Sequence, residues 1–155
     1  MAEESDRNWK IEVFAALRRV LESNAASAER ELASIAQAYE GETKSSAGDK
    51  YETAREMLSQ ARSMQSRLQD EARSALDWLD RQDLSAKRES ISFGALARLP
   101  EGWYLVCPFP LQLEVDGQAV RCMSLASPLG QVLKGARAGE VRDFRGKAIE
   151  VREVV

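Results

Sequence analysis

From Trp9 to Tyr39 the apolar residues recur at helical spacing, through Ile11, Phe14, Leu17, Leu21, Ala25, Ala28, Leu32, Ile35 and Tyr39. From Leu21 onward the steps alternate between four and three, which is a heptad seam. A second run follows at Tyr51, Ala54, Leu58, Ala61, Met64, Leu68, Ala72, Ala75 and Leu79. No proline interrupts either run, and the polar stretch 41–52 separates them. A connection this short makes the two helices antiparallel neighbours, so residues 1–84 are predicted to form a coiled-coil hairpin with its tip near 41–52. Alanines along both seams allow close packing. Helices of roughly 30 residues extend about 45 Å at 1.5 Å per residue, longer than a domain core requires.

Beyond Asp83 the period changes. Ile91–Leu99, Trp103–Cys107, Leu111–Val115 and Ala119–Met123 read as short strands. Between the last two, Asp116-Gly117 is a hairpin-turn signal. Ser127-Pro128 followed by apolar residues predicts a short helix, with the serine as N-cap and the proline at the first helical position. A final hairpin, Val141–Phe144 and Ala148–Val154, is predicted around Arg145-Gly146. Residues 90–155 therefore read as a compact β-rich domain, and the polar stretch 81–90 as its linker to the hairpin. The expected fold class is α+β.

Composition narrows the chemistry. The chain has 155 residues, no histidine and a net charge of −3. Without histidine there is no imidazole base, triad or imidazole-bound metal. Neither half has the basic excess that autonomous nucleic-acid binders use. No apolar stretch approaches the ~20 residues needed to span a bilayer. The acidic start Met-Ala-Glu-Glu-Ser-Asp lacks a signal-peptide apolar core, so a cytoplasmic protein is expected. Cys107 and Cys122, both in expected strands, read as buried reduced thiols.

The tip carries the candidate chemistry. Asp49 and Glu52 stand three residues apart at the start of a helix, so both can point the same way. Two carboxylates suffice for a magnesium ion if substrate phosphates and waters complete its shell. The plainer reading is that acids in a first helical turn complement the helix dipole and cap free N–H groups. Around them, Lys44 and Lys50 could steady phosphates and Tyr51 could stack on a base, though a soluble loop with good turn chemistry has the same composition. Equally, Tyr51 falls on the seam and could close the hairpin core. Trp9 and Trp78 are placed to close the base of the coil or its contact with the second domain, and Trp103 with Tyr104 to form β-domain core.

The motif Gly48-Asp49-Lys50-Tyr51-Glu52 is similar to the Gly-Asp-x-x-Glu tip of the bacterial Gre family of transcript-cleavage factors. Ser127-Pro128-Leu129-Gly130-Gln131-Val132-Leu133-Lys134-Gly135, followed by Ala138-Gly139-Glu140-Val141, resembles that family's C-terminal signature. The two motifs lie about eighty residues apart, in the family's order. The chain departs from the family at Arg55, where a glutamate is common, and at Ala126, where a polar residue is common.

The resemblance implies an FKBP-like second domain docked at the rim of the RNA polymerase secondary channel, with Ser127 and Pro128 at the contact. It implies a hairpin that enters the channel, and a monomer. Asp49 and Glu52 would be the catalytic and metal-binding pair, holding a second Mg²⁺ only within the polymerase complex, where the nascent RNA 3′ end is cleaved after backtracking. The protein would then be no enzyme by itself. Arg55, one turn from Glu52, would either weaken cation binding by repulsion or hold an RNA phosphate. Two other functions fit the same residues: a channel-occupying regulator of polymerase without cleavage, and a coiled-coil adaptor for an unrelated protein.

Overall fold

The computed structural model describes residues 2–43 and 48–155, apart from the side chains of residues 2, 42, 43 and 49. Helix α1 spans Ala2–Thr43 and helix α2 spans Gly48–Asp80. Then come β1 (Leu96–Leu99), β2 (Gly102–Val106), β3 (Gln112–Val115), β4 (Gln118–Met123), the short helix α3 (Pro128–Leu133), β5 (Val141–Phe144), β6 (Lys147–Glu150) and β7 (Glu153–Val154). The fold is α+β: two long helices, then a small β-rich region with one short helix.

Packing divides the chain differently from the change in period. One compact unit holds Met1–Leu17 together with Leu79–Val155, and the other is Arg18–Trp78.

In the first unit a five-stranded sheet has the order β3-β4-β2-β1-β7. The β2–β4 pair is parallel, while β1–β2, β1–β7 and β3–β4 are antiparallel. Alternation along the strands sorts the two faces. Ala97, Leu99, Tyr104, Val106 and Met123 join Leu133 of α3, Ile91 and Val151 in one buried cluster. The opposite face carries Trp103 and Leu105, which stand beside Val120 and Cys122. The first turns of α1 cover that face: Trp9 packs on Trp103 with ring centroids 6.2 Å apart, and Val13, Phe14 and Leu17 are buried. Full burial of each such side chain stabilises the fold by roughly 1.5–3 kcal/mol.

The two hairpin turns form as expected. Asp116 and Gly117 have φ of 50° and 75°, and Arg145 and Gly146 have φ of 54° and 78°. Positive φ at both central residues matches the turn to the twist of the flanking strands.

Four local expectations need correction. Residues 91–95 are not strand, because Gly94 turns the chain at φ 86° and Ile91 hydrogen-bonds Gly135 and Ala136, in the loop after α3. The last predicted strand is two strands: β6 pairs with β5, then Val151 bonds Glu140, and β7 pairs with β1. In α1 it is Lys10, 2% exposed, that turns inward, while Ile11 is 45% exposed. In α2 the heptad reading puts Ala61, Met64 and Leu68 in the seam, yet all three are exposed, and Gln65, Ser66 and Gln69 are partly buried instead. A straight helix turns every 3.6 residues, not 3.5. The line from Tyr51 through Leu58 therefore passes Gln65 and Gln69 before reaching Ala72.

Candidate functional site

The candidate tip lies where α1 ends at Thr43 and α2 begins at Gly48. Gly48 has φ 48°, a left-handed conformation that costs glycine little, and no atom lies within 4 Å of where a Cβ would stand. Asp49 and Glu52 both fall in the first turn of α2, and Glu52 is exposed. Lys44 and the side chain of Asp49 lie outside the described residues. Lys50 is exposed and Tyr51 is half-buried.

Arg55 is tied to its neighbours. Its guanidinium donates to the Tyr51 hydroxyl at 3.2 Å and lies 6.0 Å from the centre of that ring. The Tyr39 hydroxyl of α1 donates to the Arg55 carbonyl at 3.1 Å, linking the two helices near the tip. Tyr51 is half-buried, and its hydroxyl holds the Arg55 guanidinium. Glu52, Arg55 and Glu56 line one shallow groove with Tyr39, Ser59 and Arg62, so cationic and anionic groups alternate there.

Among the described residues no group of three or more Asp, Glu, His or Cys side chains could hold a metal ion. The donor chemistry at the tip is still that of a hard cation, since carboxylate oxygens suit magnesium. Two carboxylates make an incomplete shell, so these residues fit a magnesium ion only where another molecule supplies further oxygens.

The second candidate is the start of α3. Ser127 is extended (φ −69°, ψ 155°), and its hydroxyl accepts from the Gly130 N–H at 3.1 Å while donating to the Ser124 carbonyl at 2.7 Å. Pro128 follows as the first helical residue and is exposed. The serine is thus a working N-cap. Gly130 is the residue that motif reading undervalued: a Cβ there would meet the Ser124 carbonyl oxygen at 2.0 Å. Only glycine lets the Ser124–Ser127 turn lie against the helix. Its signal in the sequence is a glycine inside a helical pattern, where it is otherwise unfavourable. Leu133 is fully buried and anchors the helix in the sheet cluster.

The two candidates belong to different packing units, with Asp49 and Glu52 in Arg18–Trp78 and Ser127 and Pro128 in the sheet unit. Each is formed within its own element.

No family model and no curated protein matches the chain. It is similar to a solved structure described as "Structure of the transcription factor Gfh1", at 19% identity over 90% of this chain and 93% of that one, with a TM-score of 0.36. Likeness at this distance does not assign a function. Among the described residues no helix is long and apolar enough to cross a membrane.

Proposed function

We propose that this chain is a Gre-type transcription factor that binds RNA polymerase at its secondary channel and stimulates hydrolytic cleavage of backtracked RNA. The observation that carries the reading is the fall of Gly48-Asp49-Lys50-Tyr51-Glu52 on the first turn of α2, at the connection between two long helices. Two acids there are hard oxygen donors at the end of the hairpin.

In this reading Asp49 and Glu52 would hold a magnesium ion whose shell polymerase and RNA complete. The ion would supply charge stabilisation for phosphodiester hydrolysis. Ser127 and Pro128 would meet the rim of the channel, presented there by the capped turn that Gly130 makes possible. The chain would lend half of a site and have none alone.

One observation favours a second reading, occupancy of the channel without cleavage. Arg55 lies one turn from Glu52 and is held at the tip by Tyr51, so it would oppose a cation bound between the acids.

Purified backtracked elongation complexes with Mg²⁺, titrated with this protein, decide between them. RNA 3′-end shortening that disappears in the Asp49→Asn/Glu52→Gln variant is expected. Binding without shortening would replace cleavage by channel occupancy. Neither binding nor shortening would leave a coiled-coil adaptor for another protein.

A further inference from the structure

Three segments without a charge end together in the sheet unit. No Asp, Glu, Lys or Arg lies between Glu89 and Arg98, between Glu101 and Glu114, or between Arg121 and Lys134, in a chain that is 30% charged. Part of each run is buried strand, where charge is not expected. The exposed remainders are informative, because the topology gathers them at one end of the sheet.

β2 and β4 run parallel, so their last residues, Val106 and Met123, lie side by side, and the Cys107 amide donates to the Met123 carbonyl at 3.1 Å. From there residues 107–111 cross the end of β4 to reach β3 on its far side, where the Cys122 amide donates to the Leu111 carbonyl at 2.7 Å. Residues 124–128 leave β4 at the same end. β1 runs against β2, so its approach lies here too, and the Gly94 amide donates to the Val106 carbonyl at 2.8 Å. The opposite end of the sheet carries Glu101, Glu114 and Asp116.

At the uncharged end Pro108, Pro110, Ala126 and Pro128 are exposed, Phe109 is half-buried and Phe93 is 43% exposed. A single exposed apolar residue is ordinary, but several gathered on one surface mark an interaction site. Charges return at the margin, with Arg88 and Glu89 before Ile91 and with Lys134 and Arg137 around the Gly135 and Ala136 that Ile91 bonds. The Arg88 guanidinium reaches within 3.4 Å of where a Gly94 Cβ would stand. An apolar centre depleted of charge inside a polar rim is the anatomy of a protein–protein contact. A nucleic-acid contact would need cations over phosphates. The prolines of the crossing loop fix its φ angles, so ordering it against a partner costs little conformational entropy.

Pro128 belongs both to this end and to the contact proposed above, which makes RNA polymerase the occupant. Resting on that reading, we propose that the uncharged end of the sheet seats on the channel rim through an apolar contact anchored by Phe93, against a rim surface equally poor in charge. The contact is held by buried apolar area and not by ion pairs, so its share of the affinity is insensitive to salt.

The test titrates the full chain with purified RNA polymerase from the same organism, at about 0.1 and about 0.5 M potassium chloride. Phe93→Ser and Ala126→Asp should each weaken binding about ten-fold or more, while Glu114→Gln at the opposite end leaves it unchanged. The ratio of wild type to Phe93→Ser should hold within about two-fold at both salts, since apolar area is what that variant loses. Thermal melts check that the variants fold. Wild-type binding that both variants retain, or a ratio that collapses at high salt, would overturn the apolar contact and leave the polymerase reading standing. Absence of wild-type binding would overturn both. Sedimentation of the chain alone and flotation with phosphatidylcholine vesicles probe the other occupants. Self-association or vesicle capture that Phe93→Ser abolishes would assign this end to a second copy or to lipid, and overturn the proposal.

Discussion

In the unit built on the sheet, Leu96, Leu105, Val106, Val120, Leu133 and Val151 are completely buried. In Arg18–Trp78 the buried apolar residues, among those described, are Leu21, Ala28, Ile35, Ala72 and Ala75, and Gln65 and Gln69 share the seam. The same chain thus packs one region with large branched side chains and the other mostly with alanine. The sheet unit is held by buried area. The hairpin is held by its own backbone hydrogen bonds and a thin line of contacts, and a region with few buried apolar contacts opens locally at lower free energy. A site on the hairpin is therefore carried by helix continuity, and a site on α3 by a core.

The sharpest way to break this comparison is to cut the same number of atoms from each side. Leu105→Ala should cost about 2–5 kcal/mol, whereas half-buried Leu32→Ala should cost only about 1 kcal/mol. Urea unfolding curves measure both, and equal losses would mean the hairpin is packed as tightly as the sheet.

A second test concerns the one charged side chain buried among the described residues. Burial foremost, then the Arg88 charge, holds the Lys10 ammonium at about 8 rather than 10.5, against the opposing pull of Asp83. Between these values the unfolded chain keeps a proton that the folded chain sheds. Stability should therefore rise with pH across that window, by at most about 3 kcal/mol. Lys10→Met should flatten the rise, read from urea midpoints between pH 8 and pH 10.5.

Glycines sharpen the contrast further. Gly130→Ala drives a methyl into the Ser124 carbonyl and should cost about 1–3 kcal/mol. Gly41→Ala, in α1 with open space around it, should instead stabilise by about 0.5–1 kcal/mol. Thermal melts of the two variants should move in opposite directions.

The smallest effect is expected at the carboxyl pair between α1 and the β3–β4 turn. A hydrogen bond with Asp116, and next its charge, raises the Glu12 pKa above the ordinary 4.5. The shared proton favours the folded state below 4.5, and that contribution is lost as pH rises through the raised value. Glu12→Gln should remove this loss, which unfolding midpoints across the mildly acidic range would detect. Glu3 has the opposite sign, since its hydrogen bond and ion pair with Lys87 lower its pKa and fail only on acidification.

Much of this was legible locally. The helices, the two turns with positive φ and the Ser127 cap each announce themselves through period or through one residue's backbone preference. The first-turn position of Asp49 and Glu52 was equally plain, because helix starts carry short-range signals. What failed to show were partnerships. Met64 and Leu68 sit in a heptad that reads like a seam, yet both are exposed. Ile11 falls in the apolar run, but Lys10 beside it is the buried residue, its ammonium donating to the Val155 carbonyl at 3.1 Å while Ile11 stays exposed.

The amino-acid sequence by itself determined the α+β class, the element order, the turns and the residues at the tip, because those depend on torsional preference and repeat within a few residues. Tertiary structure alone decided that β4 lies parallel beside β2, that the last strand run changes partner at Val151, and that Lys10 rather than Ile11 is buried. Each of these depends on segments far apart in the chain closing on one another. That choice is set by which faces can be buried together, and no local signal records it.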